Sequence, residues 1–170
     1  SEGDDNSSFI GGRQFGGEDD FDEERSGSSD DEEDLTFDEI LQRVKENDPL
    51  TTKLHGIGGY ESVQHVTDEE WEELGRDVSN NAHLKELDLR YGALNDHKMS
   101  FLFSGLTRSS SITSITFDHN GFSVAGVRSM VPFLQNSNNL TKLNLSDSNI
   151  QSEGFNLVFR ELRDSPMKEL

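Results

Sequence analysis

Cysteine is absent from the 170 residues, so the sequence can build neither a disulfide framework nor a metal site of thiolates. It also lacks the run of about 18 apolar residues that a membrane-spanning helix needs. The chain begins with Ser1 and no apolar signal segment follows, so either the protein has no secretory signal or its true start is missing. We therefore expect an intracellular protein, cytoplasmic or nuclear.

Basic residues are few: 15 lysines and arginines stand against 34 aspartates and glutamates, and the formal net charge is -19. Binding to the phosphates of nucleic acid or to an anionic membrane requires basic patches. The charge balance therefore argues against nucleic acid and membrane partners, and it favours basic protein partners.

Motifs of catalysis and metal binding are also missing. No two histidines form an H-E-x-x-H pair or another helical metal-ligand spacing. The glycines between Gly56 and Gly59 lack the further residues of a phosphate-binding loop, and no serine lies in a G-x-S-x-G elbow. We expect a protein that is not an enzyme and needs neither cofactor nor metal. The histidines, all interpreted as surface residues, are His55, His65, His83, His97 and His119.

The first 35 residues differ in composition from the rest, since 14 are acidic, 2 are basic, and Gly and Ser are abundant. Such a segment cannot bury enough apolar area to offset its conformational entropy. Residues 1–35 are therefore predicted to be a disordered acidic tail. Phe9, Ile10, Phe15 and Phe21 lie among the acids, which leaves open a docking segment for a basic partner.

From Leu84 onward the sequence repeats itself with a step of 28 residues, and apolar residues recur in register over three copies. A period in this range is typical of a solenoid, in which each unit stacks on the next. The first columns are Leu84, Ile112 and Leu140; Leu87, Ile115 and Leu143; Leu89, Phe117 and Leu145; and Leu94, Phe122 and Ile150. The later columns are Met99, Val127 and Phe155; Leu102, Met130 and Val158; Phe103, Val131 and Phe159; and Leu106, Leu134 and Leu162.

Each repeat has two halves with different apolar spacing. The L-x-x-L-x-L half indicates a strand with one buried face. The second half places Met99, Leu102, Phe103 and Leu106 at i, i+3, i+4 and i+7, the stripe of an amphipathic helix. We predict an α/β fold, a solenoid with parallel strands on the concave side and helices on the convex side.

The region before the regular repeats predicts a capping helix over residues 36–49. A T-x-x-E capping box begins at Thr36, and Pro49 stops the helix. This helix is expected to cover the open end of the solenoid. A second capping box begins at Thr67, before the helix of an irregular first repeat.

The strand half of that first repeat is displaced. Leu50 and Leu54 resemble the start of a strand, and Leu54 would pair with Leu87, which lies farther along the chain than the regular step. The difference indicates an insertion of about five residues around 58–64, which we interpret as loop variation or as a functional loop.

The L-x-x-L-x-L copies that begin at Leu84, Ile112 and Leu140 resemble those of leucine-rich repeat proteins of the ribonuclease-inhibitor-like class. The resemblance covers residues 50–170. It implies the fold, but the class includes inhibitors, scaffolds, innate sensors and GTPase activators. It therefore leaves two functions open: a noncatalytic binding module, or a GTPase-activator-like regulator of a small GTPase.

Two details of the resemblance concern single residues. Asn120 matches the asparagine with which this family bonds backbone at the strand exit, whereas Gly92 and Ser148 occupy that position in the neighbouring repeats. Pro132 falls inside a predicted helix, which is expected to be short or bent because proline removes a backbone donor.

The motif begins a further time at the C terminus. Met167 and Leu170 follow Leu140 and Leu143 at a step one position shorter than the regular one, and the sequence then stops. The solenoid would end within a strand and leave an apolar edge open. Residues 50–170 are thus expected to hold about 3.5 repeats, the last one truncated, as in a fragment of a longer protein.

The candidate site is the concave face, where the residues between the apolar ones point away from the core. Parallel strands would set Tyr91, His119 and Asp147 in one row, beside Arg90 and Asp118. Such a mixture suits recognition of a protein partner of unknown identity, although a solvated sheet face would show similar rows. The predicted partner-binding residues are Glu86, Asp88, Arg90, Tyr91, Ser114, Thr116, Asp118, His119, Lys142, Asn144, Ser146 and Asp147.

Overall fold

The computed structural model of the protein describes residues 37–55, 65–163 and 169–170. Helices and short strands alternate along this part of the chain. The elements are α1 (Phe37–Lys45), β1 (Lys53–Leu54), α2 (Asp68–Asn80), β2 (Glu86–Asp88), α3 (Asp96–Gly105), β3 (Ser114–Thr116), α4 (Val124–Asn136), β4 (Lys142–Asn144) and α5 (Gln151–Glu161). The strands form one parallel sheet in the order β1-β2-β3-β4, which confirms the α/β solenoid.

Several sequence predictions concern residues outside the described ranges. These are the acidic tail of residues 1–35, Thr36 of the first capping box, the insertion around 58–64, and Met167 of the last motif.

The register of the sheet follows the repeat. Leu87 lies opposite Ile115, and Ile115 lies opposite Leu143. Leu54 lies opposite Leu87, so the longer offset predicted for the first repeat is confirmed. Because a slip by one position would turn every side chain to the other face, this register decides which residues reach the core.

The strand prediction for Leu50 is wrong, since this side chain is 84% exposed. With Leu54 paired to Leu87, the position equivalent to Leu84 falls on Thr51, which is buried. Leu50 therefore lies one residue before the buried Thr51, and its side chain faces solvent.

The core lies between the sheet and the helices and is continuous from α1 to α5. The strand column of Leu87, Ile115 and Leu143 is buried in all three copies. Burial of each such side chain stabilises the fold by about 1.5–3 kcal/mol.

Two predicted core positions are exposed in the last repeat: Phe155 at 39% and Phe159 at 61%. Phe103, in the same column as Phe159, packs against Phe133 of α4 with ring centroids 5.7 Å apart. Because α5 is the last helix of the described residues, no further helix among them covers the face that bears Phe155 and Phe159.

The capping box of α2 is confirmed. The Thr67 hydroxyl accepts the Glu70 N–H at 3.2 Å, and the Glu70 carboxylate accepts the Thr67 N–H at 2.7 Å. This pair satisfies two backbone donors that the first turn of a helix leaves without a partner.

Of the two alternatives expected for the helix around Pro132, the short helix is not observed: α4 has 13 residues, as many as α2. Pro132 itself is exposed, while Met130, Phe133 and Leu134 beside it are buried. Packing of these neighbours offsets the one backbone hydrogen bond that proline cannot make.

A buried polar column, which the sequence analysis did not identify, accompanies the apolar ones at the same repeat step. It consists of Asn81, Ser109 and Ser137. The Asn81 Oδ1 accepts the N–H groups of residues 83 and 84, and the Ser109 hydroxyl accepts those of residues 111 and 112. These bonds satisfy backbone donors at the turn that leads from each helix into the next strand.

Near the C terminus, Glu169 forms a parallel bridge with Lys142. The Glu169 carbonyl accepts the N–H of Leu143 at 3.0 Å, and the Glu169 N–H donates to the carbonyl of Thr141 at 3.1 Å. Glu169 follows Lys142 at a step one residue shorter than the regular repeat, as the sequence indicates for Met167 and Leu170. No helix among the described residues is long and apolar enough to cross a lipid bilayer.

Candidate functional site

The concave side of the sheet brings the predicted rows together. Asp88, Thr116 and Asn144 lie opposite one another, as do Glu86, Ser114 and Lys142. All six alternate with buried residues and are at least partly accessible to solvent. A shallow depression of about 570 Å³ follows these rows, and its lining residues are Glu86, Asp88, Arg90, Ser114, Thr116, Thr141, Lys142, Asn144 and Glu169.

Charges in and around this depression are arranged in pairs. The hydrogen bond to Asp88 raises the pKa of Arg90, whose guanidinium holds both oxygens of that carboxylate. Exposed pairs of this kind contribute little to stability, but they fix a charge pattern on the surface. The pairs are Lys53 with Glu86 at 3.8 Å, Arg90 with Asp88 at 2.6 Å, and Lys142 with Glu169 at 2.9 Å.

Sequence reasoning missed Lys53, Thr141 and Glu169 among the residues of this face. The signals were present in the sequence, because the longer first offset sets Lys53 opposite Glu86, and the shortened last step sets Glu169 opposite Lys142.

The second part of the face is the exit ladder, which we define as Tyr91, His119 and Asp147 at the ends of β2, β3 and β4. The rings of Tyr91 and His119 are stacked, with centroids 4.5 Å apart and planes 11° from parallel. His119 Nε2 lies 3.5 Å from an oxygen of Asp147 and 3.7 Å from an oxygen of Asp118. The predicted row of these residues thus exists as a set of direct contacts.

All three ladder residues have left-handed backbone, with φ of 55° at Tyr91, 53° at His119 and 51° at Asp147. This conformation costs roughly 1–2 kcal/mol for a residue with a side chain. The backbone N–H groups of Tyr91 and His119 donate to the carbonyls of Asp118 and Ser146 at 3.1 and 3.2 Å, which ties each turn to the next repeat.

Asn120 holds the turn at the exit of β3, as expected from the resemblance. Its Oδ1 accepts the N–H of Leu94 at 2.9 Å, and its Nδ2 donates to the carbonyls of Leu89 and Phe117 at 3.0 and 2.7 Å. Because Asn120 is buried and bridges two repeats, it fixes the backbone that presents His119.

Asp118 lies beneath the ladder and is mostly buried, with 19% of its side chain exposed. Its Oδ1 has no hydrogen-bond partner within the described residues. Donor atoms of Asp118, His119 and Asp147 lie within 4.8 Å of one another, close enough to reach one metal ion, although exposed acidic groups often lie this close without one. The sequence predicts no metal site because its histidines show no metal-ligand spacing along the chain, and such spacing does not reveal a group drawn from two different repeats.

The family model described as leucine rich repeat matches residues 80–96 and 136–155. A search of curated proteins found no match. Solved structures that are similar in fold include the following two. One, titled leiomodin-1 actin-binding site 2, is 23% identical with a TM-score of 0.65, over 80% of this chain and 78% of that one. The other, the tropomodulin C-terminal domain from Caenorhabditis elegans, is 16% identical with a TM-score of 0.51, over 75% and 74%.

Proposed function

We propose that this leucine-rich repeat protein is a noncatalytic module that binds a protein partner through the concave face of its repeats. The observation that carries the proposal is the stack of Tyr91 on His119, in which Tyr91 keeps 50% of its surface exposed. An exposed tyrosine on a surface with fixed geometry is a frequent anchor of protein interfaces.

The backbone bonds of the exit ladder support a rigid binding surface. The backbone N–H groups of Tyr91 and His119 are each held by a hydrogen bond to the next repeat, and the stacked rings limit one another's rotation. A surface that is ordered before binding loses less conformational entropy when a partner docks.

The charge pattern of the depression supports recognition better than proton transfer. The carboxylates of Glu86, Asp88 and Glu169 each lie within an ion pair, which makes them poor candidates for a general acid or base. Fixed pairs of alternating sign instead select partners by complementary charge and suppress wrong ones.

Actin is the first partner to test, because the similar leiomodin-1 structure is described as an actin-binding site. The likeness of fold does not itself transfer a partner from one leucine-rich repeat protein to another. The concave face of this chain must therefore be tested directly.

The experiment measures binding of the full chain to monomeric and filamentous actin, and to whatever protein affinity capture with the full chain yields. We expect Tyr91→Ala and Arg90→Ala to weaken binding about fivefold or more, which is about 1 kcal/mol, at unchanged melting temperature. Arg128→Ala, a change of an exposed arginine on the helix side, is the control and should leave binding unchanged.

Loss of binding with Arg128→Ala, together with full binding by Tyr91→Ala, would show that the helix side is the interface. Loss of binding on deletion of residues 1–35 alone would make the acidic tail the recognition element. Faster GTP hydrolysis by a small GTPase in the presence of the chain would favour the activator alternative that the family resemblance leaves open.

A further inference from the structure

The dipeptide Asn120-Gly121 lies at the exit of β3, directly after His119 of the exit ladder. Asn120 is the only asparagine of the sequence that precedes a glycine. In such a pair the backbone nitrogen of the glycine can attack the asparagine side chain. Glycine has no Cβ to hinder the approach, and its backbone adopts more conformations than that of other residues. This dipeptide is therefore the position of the chain where the sequence most favours deamidation.

The reaction needs no partner except water. The Gly121 nitrogen loses its proton and bonds to Cγ of Asn120, while the bond from Cγ to Nδ2 breaks and Nδ2 leaves as ammonia with that proton. Water then opens the succinimide ring. Cleavage of the new bond gives aspartate, and cleavage of the original peptide bond gives isoaspartate, in which the backbone runs through the side chain. The sum is asparagine and water converted to an acid and ammonia.

The folded protein holds the leaving nitrogen in place. Nδ2 of Asn120 donates to three backbone carbonyls, at 3.0, 2.7 and 3.3 Å. These bonds cannot survive a reaction that removes Nδ2 as ammonia. The carbonyls belong to Leu89, Phe117 and Asp118.

The attacking nitrogen is held as well. The Gly121 N–H donates to the carbonyl of Leu94 at 2.9 Å, and Oδ1 of Asn120 accepts the N–H of the same Leu94 at 2.9 Å. Asn120 is also 5% exposed, so water has little access to it. These bonds to Leu89 and Leu94 join the repeats of β2 and β3, and we call them the Asn120 junction. Deamidation therefore has to wait until this junction opens.

Neither product fits the folded turn. An ionised aspartate at position 120 has acceptors only, so the three carbonyls that Nδ2 serves would lose their donor and face a buried negative charge. Burial of unpaired polar groups and of unpaired charge is unfavourable. Isoaspartate also inserts an extra carbon into the backbone of the turn.

We propose that Asn120-Gly121 is a self-modification site that the Asn120 junction keeps unreactive. Opening of the junction exposes the site, and deamidation then makes that opening irreversible. The operational stability of the chain thus depends on the time that it spends open. The inference is independent of which partner the concave face binds.

The experiment incubates the full chain at neutral pH, folded or in guanidinium chloride, and follows the peptide that contains residue 120 by mass spectrometry. Chromatography separates the aspartate and isoaspartate forms. We expect Asn120 to react at least about a hundredfold more slowly in the folded protein, because a packed junction opens rarely. Asn156, which is exposed in α5 and precedes Leu157, is the internal reference. It should react far more slowly than Asn120 in the denatured sample, because the leucine side chain hinders attack.

Gly121→Ala is the matched variant. An added Cβ would lie 3.8 Å from the nearest atom, so the fold accepts it. In guanidinium chloride it should slow the reaction of Asn120 by about tenfold or more, because the methyl group hinders the attacking nitrogen. After long incubation and dilution of the denaturant, the wild type should lose its ability to refold in step with the modification. Gly121→Ala should keep it.

Equal reaction rates in folded and denatured wild type would overturn the protective role of the Asn120 junction. Equal rates for the wild type and Gly121→Ala in denaturant would show that the Gly121 nitrogen is not the nucleophile. Complete refolding of modified chains would show that the products fit the turn. Refolding that declines equally in both proteins would assign the irreversibility to another process, such as aggregation.

Discussion

Some single side chains join neighbouring repeats through hydrogen bonds to the backbone of the next repeat. Asp96, at the start of α3, accepts the N–H and the hydroxyl of Ser123 at 2.7 Å each and the N–H of Gly126 at 2.8 Å. Partial burial raises the pKa of Asp96, but the three hydrogen bonds lower it by more, and the net pKa lies below its ordinary value of 3.8. The ionised carboxylate therefore stabilises the N-terminus of α4 from the adjacent repeat.

Replacement of this carboxylate should make the protein less stable at neutral pH but not in acid. Because the pKa is lowered on folding, the stabilisation is present above the unfolded-state value near 3.8 and is lost as pH falls through the lower folded-state value. We expect Asp96→Ala to reduce the unfolding free energy by about 1–2 kcal/mol at pH 7.

The measurement is denaturant unfolding of the wild type and the variant at neutral and acidic pH. The difference between the two proteins should shrink as pH falls. Asp38→Ala, a change of an exposed carboxylate in α1, is the matched control. A difference that stays constant over the pH range would mean that the charge of Asp96 plays no part.

At the scale of elements, α2 and α3 approach each other at two glycines. A Cβ on Gly75 would overlap the carbonyl oxygen of Leu102, and one on Gly105 would overlap that of Glu72. The next-nearest atoms are also backbone: the nitrogen of Leu106 would lie 2.7 Å from the Cβ at Gly75, and the nitrogen of Arg76 would lie 2.6 Å from the Cβ at Gly105. The two helices can pack this closely only because neither position carries a side chain.

Alanine at either glycine should destabilise the protein, although alanine is the better helix former by about 1 kcal/mol. The added methyl group meets backbone, which cannot rotate away, so the helices must separate. We expect Gly75→Ala to cost about 1–3 kcal/mol net. Gly121→Ala is the control, because its Cβ would lie 3.8 Å from the nearest atom and should change stability by less than about 0.5 kcal/mol.

Thermal or denaturant melts of the two variants provide the measurement. A Gly75→Ala protein as stable as Gly121→Ala, or more stable, would contradict the close contact between α2 and α3.

At the scale of the whole repeat array, the position of a repeat decides whether its apolar columns are buried. Phe103 and Phe159 hold the same place in their repeats, yet Phe103 is 3% exposed and Phe159 is 61% exposed. The difference arises because α4 covers α3, while no described helix covers α5.

The same substitution should therefore have different effects at the two positions. Phe103→Ala removes a ring packed against Phe117 and Phe133 and should cost about 3–5 kcal/mol. Phe159→Ala should cost less than about 1 kcal/mol, as expected of an exposed side chain. Equal losses in denaturant unfolding would show that Phe159 is buried in solution.

Much of the fold follows from local periodicity. Side chains alternate along a strand and recur every three or four residues along a helix, so apolar spacing alone indicates both elements. The regular repeat step and the longer first offset then set the register of Leu54, Leu87 and Ile115, because stacked repeats place equivalent residues opposite one another. For the same reason, the rows of the concave face could be named before their contacts were known.

Other features depend on which atoms meet between repeats, and only the tertiary structure decided them. The exposure of Phe159, the close approach at Gly75 and the burial of Thr51 in place of Leu50 each depend on a neighbouring element. So do the ring stack of Tyr91 and the lack of a donor at Asp118, which distinguish the exit ladder from an ordinary solvated row. The physical reason is that packing, charge compensation and desolvation are set by distances across the repeat interface, whereas sequence spacing reports only the direction in which a side chain leaves its own backbone.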